Sequence, residues 1–223
     1  MKIIGFSGKI GVGKNYIAEN VIGKMFFELG YNVSFLAFAD LVKYELGARL
    51  QKTNSIDDVI NSNNVNYNNL FVTKTHDIRL KLQKYATEHG RNSSDKNIDD
   101  IIIYYDTNIW IKGLYLMMKN IYEKSYNKDK HIFIITDVRF INEAEFIKKL
   151  NGIIIRINSI IRNHKRLTQE SSNSDNPFEM IMKISTHQSE IELDNFNFDF
   201  TIDNDKSLYN NHSIFENIIN FFI

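Results

Sequence analysis

The sequence contains no cysteine and only one proline, Pro177, among its 223 residues. Without cysteine it can form neither disulfides nor thiolate metal sites, which suits an intracellular protein. Lys and Arg together number 27, as do Asp and Glu, so the formal net charge is zero. A zero net charge argues against non-specific nucleic-acid binding, which needs a basic field, but it is compatible with a local basic pocket for a small anion.

Long apolar runs are also lacking. No apolar stretch approaches the roughly 20 residues needed to span a bilayer, and the run from Met1 to Phe6 is too short for a signal peptide. We therefore expect a soluble, cytoplasmic protein that binds neither nucleic acid nor membranes. Asn, Ile, Lys, Tyr and Phe are abundant, a bias typical of an AT-rich genome.

Short apolar runs alternate with segments of helical periodicity along the whole chain. The patterns predict strands at 2–7, 33–38, 132–136, 152–157 and 198–202, and helices at 14–29, 41–50, 76–89, 108–124, 142–150 and 208–222. The Asn-rich segment 55–69 is predicted to be irregular. Strands that alternate with helices predict an α/β fold with a parallel sheet covered on both faces. No linker or repeat divides the chain, so we expect one domain over 1–223.

A glycine-rich segment between the first predicted strand and helix has Walker A spacing. It reads Gly8-Lys9-Ile10-Gly11-Val12-Gly13-Lys14. Glycines let the backbone turn its N–H groups toward phosphates, and the following helix presents its positive N-terminal end. Lys14 then reaches the β- and γ-phosphates. We predict ATP binding by Gly8, Gly11, Val12, Gly13, Lys14, Asn15 and Tyr16, while Lys9 is interpreted as a solvated loop lysine.

Asn15 stands where this motif usually has Ser or Thr, whose hydroxyl binds Mg²⁺. An amide oxygen can take that place directly or through water, although it is a weaker ligand for a hard cation. The sequence therefore predicts ATP binding more firmly than the way the Mg²⁺ cofactor is held.

Two acids follow predicted strands, at the edge of the sheet where α/β proteins bind ligands. Asp40 follows the 33–38 run, and Asp137 follows the 132–136 run. Either acid can hold Mg²⁺ or its water, or orient the attacking phosphate. Alternatively, Asp40 caps a helix that begins at Leu41, and Asp137 pairs structurally with Arg139. We take both as candidate catalytic residues and Asp137, with Asn15, as a candidate metal ligand.

Several segments together resemble the viral and phage deoxynucleoside monophosphate kinase family. In chain order they are 8–14, Phe38-Ala39-Asp40-Leu41-Val42-Lys43, Arg79-Leu80-Lys81-Leu82-Gln83, Gly90-Arg91, Asn108-Ile109-Trp110-Ile111, Asp137-Val138-Arg139-Phe140-Ile141-Asn142-Glu143 and His187-Gln188-Ser189-Glu190. The likeness extends over nearly the whole chain. Only 8–14 and 137–143 are individually specific, and the other segments count through their order. The chain departs from the family at Asn15.

The resemblance implies a three-layer P-loop fold like that of nucleoside monophosphate kinases. It implies a substrate-binding region at about 40–125, an arginine-bearing lid at about 158–186, and transfer from ATP to a deoxynucleoside monophosphate (dNMP). Arg162 and Arg166 lie in the lid segment, either as catalytic cations or as charges of a solvated loop. A viral member of the family would act in an infected host cell.

The remaining candidates concern the monophosphate. Arg79 and Gln83 are four apart and share one helix face, where Arg79 suits a phosphate and Gln83 a base edge. Arg91 is a second phosphate candidate; for each of these the alternative is a surface position. The substrate-binding set is Asp40, Lys43, Arg79, Gln83, Arg91, Trp110 and Arg139. Trp110 either stacks on a base or belongs to the core, and Arg139 either contacts a phosphate or braces Asp137. His187 and Glu190 are interpreted as structural.

Two other functions remain open from the sequence. One is a P-loop kinase of another small phosphate ester, such as phosphomevalonate or dephospho-CoA, which would share the phosphate loop and the acid after the second strand. The other is a nucleotide-binding module without fast transfer, for which Asn15 is the best support. The sequence also leaves open which base is preferred and whether the protein forms homodimers.

Overall fold

The computed structural model describes residues 1–51, 78, 81–82, 84–86, 108–172 and 174–223. These residues fall into two units, one made of Met1–Ala37 with Met118–Ile223 and the other of Phe38–Met117. The irregular segment predicted at 55–69 lies outside the described residues. Within the part of the chain described, no helix is both long enough and apolar enough to cross a membrane.

The first unit is built on a parallel β-sheet. Its strands are β1 (Lys2–Ser7), β2 (Asn32–Leu36), β3 (His131–Val138), β4 (Ile153–Asn158) and β5 (Phe200–Asp203). They lie in the order β2-β3-β1-β4-β5, so β1 is central and pairs with β3 and β4. Ile3, Ile4 and Phe6 are fully buried, because a parallel sheet is covered on both faces and its strands are apolar throughout.

Helices of the first unit cover both faces of this sheet. In chain order the helices of the two units together are α1 (Lys14–Ile17), α2 (Lys24–Glu28), α3 (Phe38–Gln51), α4 (Ile109–Lys124), α5 (Ile141–Lys149), α6 (Ile160–Ser171), α7 (Pro177–Ser185), α8 (Gln188–Ile191) and α9 (His212–Asn220), with a π-helical stretch, Ala18–Gly23, joining α1 to α2. On one face, Ile4 and Phe6 pack in a core with α1, α2 and α9. On the other face, α5 lies so close that a Cβ on Gly5 would be 2.7 Å from Ile147 Cδ1. The α/β fold with helices on both faces is confirmed.

Two predicted strand ends were wrong, and each error misplaced a candidate acid, Asp40 or Asp137, relative to its strand. β2 ends at Leu36 and α3 begins at Phe38, so Asp40 lies in the first turn of α3 and neither follows a strand nor caps a helix at Leu41. An apolar run cannot show by itself where a strand gives way to a buried helix. β3 continues to Val138, which pairs with Ser7 beyond an irregularity in β1. Asp137 is therefore inside the strand, one residue before its end.

The second unit, Phe38–Met117, contains α3 and the first part of α4. On α3, Phe38, Val42 and Leu46 recur every four residues and are buried, which is the spacing of one helix face. Residues 109–117 of α4 contribute buried Trp110 and Leu114. Of the helix predicted at 76–89, the described residues 78, 81, 82 and 84 are α-helical.

The predicted lid segment folds as two helices, α6 and α7. Ser159 caps α6 and accepts a hydrogen bond from the Arg162 amide at 3.1 Å. Asn176 caps α7 in the same way, and Pro177 occupies its first turn, where proline loses no helical hydrogen bond. The polar residues of this segment therefore begin helices and do not form an open loop.

Candidate functional site

The phosphate loop predicted at Gly8–Lys14 lies between β1 and α1, in the required order of strand, loop and helix. Gly8, Gly11 and Gly13 have φ angles of 152°, 78° and 89°. L-residues with a side chain adopt such angles at a cost, whereas glycine does so freely. The glycines therefore let the backbone curl around the N-terminal end of α1, where N–H groups are available to an anion.

Lys14 folds back across this loop. Its Nζ donates hydrogen bonds to the carbonyl oxygens of Gly8 at 2.8 Å and Lys9 at 2.9 Å, and the residue is only 8% exposed. Burial, with the charge of Arg139 acting in the same direction, lowers the pKa of Lys14 to about 7, although Glu190 and Asp137 act to raise it. The loop thus encloses a buried amine, and a bound anion would stabilise the protonated form of this amine.

Two asparagine side chains hold the outer carbonyls of the loop. Asn204 Nδ2 donates to Val12 O at 2.8 Å, and Asn163 Nδ2 donates to Ile10 O at 2.7 Å. Sequence reasoning missed both residues. Asn204 follows β5, so the strand-end rule applied to Asp40 and Asp137 would have found it. No pattern singled out Asn163, on α6.

A charge network surrounds the base of the loop, and it is buried at Arg156 but partly exposed at Lys9 and Asp194. Arg156 on β4 donates to Ser7 Oγ at 3.3 Å and to Asp194 Oδ1 at 2.9 Å. The other oxygen of Asp194 pairs with Lys9 Nζ at 2.6 Å. Lys9, interpreted from the sequence as a solvated loop lysine, is 32% exposed at its side chain, and Asp194 links it to Arg156.

Glu190 and Arg139 form a separate ion pair beside the loop. The Glu190 carboxylate pairs with Arg139 Nη1 and accepts a hydrogen bond from the Ile10 amide at 2.6 Å. Burial acts to lower the pKa of Arg139, but Glu190, Asp137 and Glu143 raise it. Glu190 was expected to be only structural, yet it touches the phosphate loop directly. The signal that could have identified it is the 187–190 segment of the family resemblance.

A cleft of about 460 Å³ opens beside the loop, lined by Gly11, Ile161, Arg162, Lys165, Arg166, Gln169, Asn204 and Asp205. Both lid arginines predicted as catalytic, Arg162 and Arg166, line it. Arg162 Nε donates to Asn204 O at 3.3 Å, and Arg166 pairs with Glu170 at 2.5 Å. Asp205 accepts hydrogen bonds from Ser159 Oγ and from the Ile160 amide. The start of α6 is thereby attached to the end of β5.

The chemistry of the candidate metal ligands, Asn15 and Asp137, fits a Mg²⁺ ion that is bound together with a nucleotide. Asn15 is exposed in the first turn of α1, and Asp137 is partly exposed at the end of β3. Asp137 lies near enough to Lys14 to act on its pKa. Over the described ranges no group of three or more His, Asp and Glu side chains could hold a metal ion. One amide and one carboxylate suit an ion that takes its remaining ligands from water and phosphates.

The fold is similar to that of a solved kinase. The chain is similar to the APS kinase CysC of Mycobacterium tuberculosis, solved with AMPPNP and APS, with a TM-score of 0.50 and 11% identity over 98% of this chain and 97% of that one. Shikimate kinase from Bacteroides thetaiotaomicron has a TM-score of 0.46 and 14% identity, over 99% and 97% of the two chains. No family model and no curated protein matches the sequence. The first likeness gives the chain a P-loop kinase-like fold.

The other candidate residues of the loop differ in exposure. Val12 is buried beneath the loop, whereas Tyr16 on α1 is exposed. Their predicted contacts with ATP stay predictions.

In the second unit, Asp40 pairs with Lys43 at 2.5 Å, as expected for two residues one helical turn apart. Trp110 is 4% exposed, and its Nε1 donates to Ala86 O at 3.2 Å. The structure thus places Trp110 in the core of this unit, and its stacking on a base stays a prediction. Arg79, Gln83 and Arg91 lie outside the described residues.

Proposed function

We propose that this protein is an ATP-dependent phosphotransferase and, more narrowly, a deoxynucleoside monophosphate kinase. One observation carries the first part: a glycine-rich loop with left-handed φ angles curls over a buried lysine at the start of a helix. Backbone N–H groups, the end of a helix and a lysine together favour a polyphosphate. The second part rests on the family resemblance.

The cleft beside Gly11 suits the nucleoside part of ATP. Ile161 offers exposed apolar surface there, and Arg162 and Arg166 supply guanidinium groups that can stack on a base or pair with a phosphate. Asn204 lines the same cleft and holds Val12 O. A nucleotide in this position would have its base in the cleft and its phosphates along the loop.

In the proposed reaction, an oxygen of the acceptor phosphate attacks the γ-phosphorus of ATP. The bond from that phosphorus to the β,γ-bridging oxygen breaks, and ADP leaves. Lys14 and Arg139 stabilise the charge that moves onto the leaving oxygens. Mg²⁺, held by Asn15 and by Asp137 directly or through water, would neutralise phosphate charge when bound with ATP.

The acceptor is assigned from sequence. The resemblance implies a dNMP, with Arg79 and Arg91 as phosphate-binding forks and with Asp40, Lys43 and Gln83 in the same region. Deoxyribose is expected to be preferred over ribose because the family likeness implies it.

The direct test is a coupled assay of ADP release from ATP and Mg²⁺ with each of the four dNMPs, phosphomevalonate and dephospho-CoA. We expect at least one dNMP to be the best acceptor. A better rate with phosphomevalonate or dephospho-CoA would refute the dNMP assignment and leave the phosphotransferase intact. ATP binding without transfer to any of them would favour a nucleotide-binding module.

Lys14→Ala tests the phosphate loop itself. It should lower kcat by about 10²-fold or more, the scale of losing one preorganised donor. Lys24→Ala is the matched control, because this lysine on α2 is 68% exposed and its ion pair among the described residues is with Glu28, at 3.9 Å. Near-normal turnover in Lys14→Ala, or an equal loss in Lys24→Ala, would contradict the assignment.

A further inference from the structure

In the short segment His187–Glu190, two hydrogen-bond acceptors contact the same arginine, Arg139. His187 caps α8, and its ring nitrogen accepts a hydrogen bond from the Ser189 amide at 3.2 Å. Beyond this turn, Ser189 O accepts a hydrogen bond from Arg139 Nη1 at 3.3 Å, and Glu190 Oε1 contacts the same nitrogen. The turn therefore fixes one edge of the Arg139 guanidinium.

The Glu190 carboxylate divides its two oxygens between two parts of the site. One oxygen contacts Arg139, which follows β3, and the other accepts the amide of Ile10 in the phosphate loop at 2.6 Å. The side chain is only 5% exposed. A buried carboxylate is costly unless it is paired and hydrogen-bonded, and both partners of this one belong to the phosphate site.

A negative charge beside a polyphosphate site opposes phosphate binding unless it organises the cations there. Among the described residues, the hydrogen bonds to the Arg139 guanidinium all fall on Nη1, which leaves the Nη2 and Nε donors available to an anion. The side chain of Arg139 is 28% exposed, so a ligand can reach it. Its charge also acts on Lys14, so an anion held by Lys14 lies within the field of Arg139.

We propose that Glu190 is a positioning residue, which holds Arg139 and the Ile10 amide so that the outer edge of the guanidinium faces the phosphate bound by Lys14. This role rests on the proposed function. It gives α8 a role in the site, where the sequence suggested only a structural one.

The test compares kcat and KM in variants of the full-length protein. Glu190→Ala should lower kcat at least about ten-fold, because Arg139 loses its anchor and no longer meets the transferring group. Glu190→Gln keeps an acceptor for the Ile10 amide but lacks the charge that holds Arg139, so its kcat should lie between Glu190→Ala and wild type. Glu192→Gln is the matched control, because Glu192 binds the Ile141 amide and Gln188 instead.

A double-mutant cycle separates positioning from a general structural loss. If Glu190 acts through Arg139, Glu190→Ala should add less than about two-fold to the loss in Arg139→Ala, whereas independent effects would multiply. Fold-losses that multiply in the double variant, or wild-type kcat in both Glu190 variants, would overturn the proposal. Should Glu190→Ala fail to fold, the same cycle with Glu190→Gln decides.

The two proposals fail in different ways. Absence of transfer by the wild-type protein would refute the proposed function and leave the role of Glu190 to be decided by binding. In that case calorimetry with a non-hydrolysable ATP analogue replaces kcat: Glu190→Ala should weaken its affinity at least about five-fold, again without adding to Arg139→Ala. Unchanged affinity would overturn the positioning role.

Discussion

Gly13→Ala tests whether the curl of the phosphate loop depends on glycine. Gly13 has φ 89°, and a Cβ built on it would lie 2.5 Å from Asn204 Nδ2. The left-handed conformation costs an L-residue roughly 1–2 kcal/mol. The new methyl group must also displace Asn204, which donates to Val12 O at 2.8 Å in a buried hydrogen bond. Leaving such a group unpaired costs about 1–3 kcal/mol.

Gly30→Ala provides the matched control within the same chain. Gly30 has a similar φ of 78°, but the nearest atom to its Cβ, Lys130 Nζ, would be 3.8 Å away. This variant therefore isolates the backbone strain. About 0.4–1 kcal/mol of that cost is offset, because alanine makes the unfolded chain less flexible than glycine does. We expect a loss of about 1 kcal/mol for Gly30→Ala and about 2–4 kcal/mol for Gly13→Ala.

The assay is urea unfolding followed by circular dichroism, with ATP affinity measured by calorimetry on the same proteins. Gly13→Ala should also weaken ATP binding, because the displaced loop no longer presents its N–H groups to the phosphates. Gly30→Ala should bind ATP as the wild type does. Equal destabilisation by the two substitutions, or unchanged ATP affinity in Gly13→Ala, would refute the reasoning.

Two further predictions concern pH. Because the pKa of Lys14 is lowered to about 7 and bound phosphates would raise it, ATP binding above pH 7 should take up a proton and weaken by up to about ten-fold per pH unit. Calorimetry in two buffers of different ionisation enthalpy measures this, and Lys14→Arg should abolish the uptake; no uptake in the wild type would contradict it. Burial lowers the pKa of His131, whose ring nitrogens bond Ser34 and Ser125, so the unfolded chain binds its proton more tightly. Stability should be full above the ordinary histidine pKa of about 6.5 and fall as pH drops through the folded pKa. Urea unfolding between about pH 7 and 5 should show a smaller loss for His131→Gln, and an equal slope would contradict the prediction.

The sequence by itself determined the parts of the site that lie close together along the chain. The phosphate loop, the strand before it and the helix after it are consecutive, so glycine spacing and apolar periodicity were enough to predict them. Strands that alternate with helices also predicted the parallel sheet, because such connections bury both of its faces. The exact ends of β2 and β3 were not predictable, since burial extends over Phe38 and Val138 whichever element each belongs to.

Only the tertiary structure decided what surrounds the loop. Glu190 meets the Ile10 amide across 180 positions, and Asn204 meets Val12 across 192. No local period relates residues so far apart. They meet because the parallel sheet brings the ends of β1, β3 and β5 to one edge, where each buried polar group must find a partner. The glycines therefore specify the conformation of the loop, while the packing of distant strands determines which acids and amides surround it.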